Sequence, residues 1–235
     1  MRSVEEAREL ARAAAAEGVT AIAATPHVRD DYPTRAARME SGVEELRRDF
    51  AANRIAVEVL HGGEIDLDRL AALDDDEVSR FTLAQTGRYL LLEFPDRGWP
   101  MALEPAVHGL ARRRIVTVLA HPERNHEVQA HPERLELLLG AGAIVQVTSG
   151  SIDGRLGRSS QAAAKRLVQL GLAHLVAGDA HGPHIRDAGL AAAARAVGDD
   201  ALARWLTEDV PAAIVAGEPI PGRPGTRGRR GLFRR

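Results

Sequence analysis

The sequence contains no cysteine, which excludes a disulfide framework, a thiolate zinc site and a cysteine nucleophile together. It has one lysine, Lys165, so nearly all its positive charge is arginine, a coding bias of GC-rich genomes more than a chemical signal. It has almost no net charge: 31 basic residues stand against 33 acidic ones, a balance of −2. No global field therefore draws the chain to nucleic acid or to a membrane surface. No stretch reaches about 18 consecutive apolar residues. The N-terminus is a charged Arg/Glu/Ala segment where a signal peptide would be apolar. These absences predict a cytoplasmic protein without a transmembrane segment or a nucleic-acid partner, acting on a small substrate or a protein segment.

What is present suits one α/β domain: 235 residues with 45% hydrophobic content can bury a large core. Six apolar runs read as buried strands, at 19–24, 55–60, 89–92, 115–120, 143–147 and 172–177. Ser3 and Glu6 form a capping box for a helix over 3–17 that Gly18 closes. Further helices are predicted over 34–50, 101–113, 132–139, 159–170, 185–197, 201–206 and 211–216. Strands alternating with helices imply βαβ units and a parallel sheet. The acidic run 74–77 reads as a solvated loop. From Pro219 onward the composition turns to Pro, Gly and Arg, so a domain over 1–218 is followed by a basic, unstructured tail over 219–235.

Five polar clusters end five of these runs: Thr25-Pro26-His27, Gly63-Glu64, Glu93-Phe94, His121-Pro122-Glu123-Arg124 and Asp179-Ala180-His181. Side chains at the C-terminal ends of parallel strands converge on one face, and nitrogen and oxygen ligands in that register suit a divalent metal cluster. Singly, each has a plainer reading. Arg124 could be a surface cation, and His108, His126, His131 and His174 are surface or core histidines. His61 is ambiguous, and His184 reads as a loop residue. Gly62-Gly63 allows a sharp turn or a close approach to a ligand. Asp179 and His181, two apart, would point the same way from an extended backbone.

In this order and spacing, Ala-Thr-Pro-His, Gly-Glu-Ile, Leu-Glu-Phe, Ala-His-Pro-Glu-Arg and Gly-Asp-Ala-His resemble the bacterial metal-dependent protein-tyrosine phosphatases of the PHP superfamily, the capsule and exopolysaccharide regulators. The resemblance runs from about Val4 to Ala216. It implies a distorted (β/α)7 TIM-like barrel with two or three ions, manganese before iron, zinc or magnesium. On the matching positions, His27, Glu64, Glu93, His121, Asp179 and His181 would be metal ligands. Arg124 would grip the phosphate with its forked guanidinium, and Arg186 would assist it. A chain without cysteine cannot pass through a phosphocysteine, so metal-bound hydroxide is the implied nucleophile. The implied substrate is a phosphotyrosyl protein such as the tail of a bacterial tyrosine kinase, and oligomers are compatible with the fold.

Members of that superfamily begin with a strand ending in His-x-His, whereas this sequence opens Met1-Arg2-Ser3. The resemblance therefore predicts a barrel without its first strand, short of two ligands, and weak turnover and stability for residues 1–235. Two other functions share the motifs: a phosphoesterase acting on a small metabolite such as histidinol phosphate, and an inactive phosphopeptide-binding remnant.

Overall fold

In the computed structural model the alternating pattern becomes a mostly parallel sheet with helices packed around it; the structure describes residues 3–182 and 189–225. The chain enters through α1 (Val4–Ala16), where Ser3 Oγ accepts the Glu6 N–H at 3.3 Å as the capping box requires. Such a cap contributes about 1 kcal/mol. Ala7, Leu10, Ala11 and Ala14, three and four apart, bury one face of the helix.

Nine strands follow among the described residues: β1 (Ala21–Ala23), β2 (His27–Arg29), β3 (Tyr32–Pro33), β4 (Glu58–Leu60), β5 (Glu64–Asp66), β6 (Tyr89–Glu93), β7 (Val116–Leu119), β8 (Ile144–Thr148) and β9 (Leu175–Ala177). Each of the six apolar runs holds all or most of one. The other three lie beyond the runs: residues 24–26 part β1 from β2, residues 61–63 part β4 from β5, and β3 folds back antiparallel on β2. Both breaks fall at one level. Ala21 faces Glu58 in the first parallel pair and His27 faces Glu64 in the second, an offset of 37 positions on either side (58 less 21, 64 less 27). Two sequence-predicted site residues thus oppose each other on adjacent strands.

The ladder runs β3-β2-β5-β6-β7-β8-β9, with β1 and β4 as a separate pair. Among the described residues β9 pairs with β8 alone, so the continuous barrel ladder implied by the family resemblance is not closed. Residues 89–92 of β6 are buried throughout, as a parallel strand covered on both faces must be. Leu90 packs with Val28, Ile65 and Phe81 in one apolar core, and Leu91 and Leu92 with Val118, Leu119 and Val145 in the other.

At Gly63 a Cβ would lie 2.5 Å from Phe81 Cδ1, a ring that is fully buried, so packing there admits no side chain. Two expectations are corrected. The run 74–77 is the start of a helix, Asp75–Arg80: Asp74 Oδ1 accepts the Glu77 N–H at 2.8 Å, and three carboxylates in the first turn face the positive end of the helix dipole. The stretch 219–225, expected to be unstructured, is tied to the body. Trp205 Nε1 donates to Pro221 O (2.9 Å), Arg223 donates to Val168 O (2.7 Å), and Ile220 packs on the core. The sequence-predicted helix 185–197 is observed as Leu190–Val197, and residues 183–188 and 226–235 lie outside the described residues.

One ion pair fastens this frame with a measurable pH signature. Arg80 donates two hydrogen bonds (2.8 and 2.5 Å) to Glu40 on α2 (Ala36–Ala52), and Gln85 Nε2 adds a third at 2.8 Å. The Arg80 hydrogen bonds bring the Glu40 carboxyl from 4.5 down to about 2. A carboxyl depressed on folding stabilises the protein above its unfolded value and ceases to do so as pH falls through the folded one. Glu40→Gln is therefore expected to cost about 1 kcal/mol at pH 7 in urea unfolding, allowing for solvent screening of a partly exposed pair. The difference from wild type should shrink as pH drops from 4.5 toward about 2. A gap that stays constant over that window would refute the assignment.

Candidate active site

β2, β5 and β6 present His27, Glu64 and Glu93, and one ligating atom from each lies within 4.8 Å of the others. His121, two residues beyond the end of β7 at Leu119, completes the group. Its Nε2 lies 3.0 Å from Glu64 Oε1 and 3.5 Å from Glu93 Oε1. Glu64 and His121 are each only 4% exposed. Glu64 thus stands between two imidazoles, with His27 Nδ1 3.0 Å from its other oxygen. That second approach lacks hydrogen-bond alignment and leaves His27 Nδ1 buried without a hydrogen-bond partner; Glu93 Oε2, 3.6 Å from that nitrogen, is likewise buried and unpartnered.

Electrostatics sharpens the picture. Burial opposes ionisation of Glu64, but the imidazoles of His121 and His27 against its oxygens outweigh it and hold the carboxyl below its ordinary value. Glu93 goes the other way: burial, reinforced by the neighbouring Glu64 carboxylate, raises it. Glu64 raises His27 in turn, against burial. Two carboxylates and two imidazoles converging with unsatisfied atoms are a donor set that a divalent cation fits. It would neutralise the carboxylates and occupy the orphaned nitrogen and oxygen.

Asp179 and His181 form a neighbouring group. Asp179 is engaged by Arg124, which also donates to Thr148 Oγ1 at 2.8 Å. His181 Nδ1 lies 2.9 Å from Asp179 O, and its ring centroid is 5.8 Å from that of His27. The expected extended backbone is not found, because Asp179 has φ +47°. His121 has φ +34°. Left-handed backbone at two non-glycine residues costs of order 1–3 kcal/mol each and is typical of functional sites. Arg186 lies outside the described residues.

Glu123 is a contributor the sequence did not single out, although it sits inside the quoted motif. Fully buried, its Oε1 accepts from the Thr148 N–H (3.0 Å) and from Ser151 Oγ (2.7 Å). It thereby fixes the threonine that holds Arg124. Arg29, whose Nη1 lies 3.9 Å from Glu93, was also missed, yet its place two residues after His27 on one strand puts both on one face. A cleft of about 430 Å³ opens here, lined by Arg29, Asp66, Arg69, Glu93, His121 and Arg124 among others.

Residues 1–214 match a family described as capsular polysaccharide synthesis, CpsB/CapC. Among curated proteins, the chain is 35% identical over 181 residues to the tyrosine-protein phosphatase YwqE of Bacillus subtilis, covering 76% of this chain and 70% of that one. It is 26% identical over 194 residues to the tyrosine-protein phosphatase CpsB of Streptococcus pneumoniae, with 77% and 76% covered. A solved chain from the crystal structures of YwqE and CpsB, titled unique metal-dependent tyrosine phosphatases, superposes with a TM-score of 0.87 at 29% identity, covering 95% of this chain and 91% of that one.

Proposed function

Because this chain belongs to the CpsB/CapC family of capsular polysaccharide synthesis, we propose that it hydrolyses phosphotyrosine on proteins in the control of capsule or exopolysaccharide production. The observation that carries the reading is the convergence of His27, Glu64, Glu93 and His121, with unsatisfied ligand atoms, beside an arginine whose Nε is buried and unpartnered.

His27, Glu64, Glu93 and His121 hold divalent ions, with Asp179 and His181 completing the set and manganese the first choice of metal. When bound, such ions acidify water to make a nucleophile and offset charge on the phosphoryl group. Arg124 orients that group, and Arg186 is a second cation for it. The phenolate of tyrosine leaves readily, so no side chain is assigned as its proton donor. The substrate class is a cytoplasmic phosphotyrosyl protein, the tail of a bacterial tyrosine kinase foremost.

The test is phosphate release by protein stripped with a chelator and reloaded with Mn²⁺, offered a phosphotyrosyl peptide or histidinol phosphate. Release from the peptide that returns with the metal is the expected result. Faster turnover of histidinol phosphate would replace the substrate assignment with a metabolite phosphoesterase. Tight peptide binding with no release under Mn²⁺, Fe²⁺, Zn²⁺ or Mg²⁺ would replace it with a binding protein.

A further inference from the structure

Aromatic side chains are few, and nearly all those described are inside. Phe50, Phe81, Tyr89, Phe94 and Trp205 are buried, while Trp99 lies edge-on to Phe94 beneath Arg134. Tyr32 is the exception among the described residues, at 59% exposed. Leaving such a ring in water forfeits the stabilisation of burying it, so its position calls for a reason.

The position is held firmly. β3 pairs antiparallel with β2, Tyr32 opposite Arg29 and Pro33 opposite Val28. Arg29 clamps the intervening turn with two hydrogen bonds to Asp31, at 2.6 and 3.0 Å. Pro33 restricts the backbone of the residue before it. The ring therefore stands 6.1 Å from the His27 ring at an interplanar angle of 45°. Arg29, Asp30 and Asp31 of the same hairpin line the cleft, although Tyr32 is not among its lining residues.

His27 is among the residues that would hold a divalent ion, so a phosphate ester bound there would bring its ester group toward the neighbouring Tyr32 ring. Aromatic rings attract each other at centroid separations of about 4.5–7 Å, in tilted or offset arrangements. We propose that Tyr32 determines specificity by stacking on the phenyl ring of the substrate, selecting aryl over alkyl phosphate esters. The proposal rests on the phosphotyrosine reading and adds what in the site recognises the ring.

The experiment titrates manganese-loaded protein with benzylphosphonate and with methylphosphonate by calorimetry, comparing wild type, Tyr32→Ala and Tyr32→Trp. Wild type should prefer the benzyl compound. Tyr32→Ala should weaken benzylphosphonate by roughly 2- to 12-fold and leave methylphosphonate unchanged, whereas Tyr32→Trp keeps the preference. On a phosphotyrosyl peptide, Tyr32→Ala should raise KM with kcat unaltered, since stacking is the same in ground and transition states. A thermal melt checks that this exposed substitution leaves folding intact. The proposal is overturned if wild type shows no benzyl preference, if Tyr32→Ala binds benzylphosphonate as wild type does, or if both phosphonates weaken equally. Failure of wild type to release phosphate would defeat the functional reading alone, because the titrations judge Tyr32 without turnover.

Discussion

Arg124→Ala is expected to lower kcat/KM on a phosphotyrosyl peptide by about 10³-fold while leaving the bound metal in place. Both polar contacts of Arg124, to Thr148 and to Asp179, use one terminal nitrogen, and its Nε is buried without a partner. A guanidinium so placed keeps donors for an anion it does not yet hold. A phosphoryl group offers oxygens at the spacing of that fork, and the charge spread over them in the transition state is what the fork stabilises. Arg124→Lys keeps the charge without the planar pair of donors and should recover only about tenfold. Undiminished kcat/KM in the alanine variant would sink the role. Loss of metal along with activity would show instead that Arg124 acts by holding Asp179.

Glu64→Gln should cost the protein its metal. The side chain keeps its shape but loses the negative charge placed between His27 and His121, so each ion it would share loses a carboxylate ligand. We expect Mn²⁺ affinity to fall by at least about 100-fold, beyond what loss of a group merely supporting a ligand costs. Thermal melts read this directly. Metal at 100 times its Kd should stabilise wild type by about 2.7 kcal/mol, and the same concentration should scarcely move Glu64→Gln. Equal metal-induced shifts in the two proteins would remove Glu64 from the ligand set.

The sequence disclosed the site better than the path of the backbone through it. Five ligand-bearing clusters recurring at the ends of apolar runs drew attention to His27, Glu64, Glu93 and His121, since each residue taken singly has a plainer reading and only their repetition points to a shared site. The ends of the runs at 24 and 60 were legible, but the resumption of strand at His27 and Glu64 was not, since it arises from pairing between segments 37 positions apart and not from local propensity. Nor was the left-handed backbone at His121 and Asp179, which only surrounding packing can impose. Asp74 was misjudged on charge alone, although an aspartate three residues before a glutamate is itself a helix-start signal. Glu123 gave no local sign, because its value lies in reaching a strand turn 25 residues away.

The two strand breaks tie together the lengths of two links that lie side by side, Gly62 against Thr25. His27 meets Glu64 because three residues separate β1 from β2 and three separate β4 from β5. One residue added to either link alone would slip the second pairing by a single step and turn its side chains to the opposite face. One residue added to both would leave the pairing as it is. Natural variation in chain length at this level should therefore come in matched pairs, an insertion near position 25 accompanied by another near position 62.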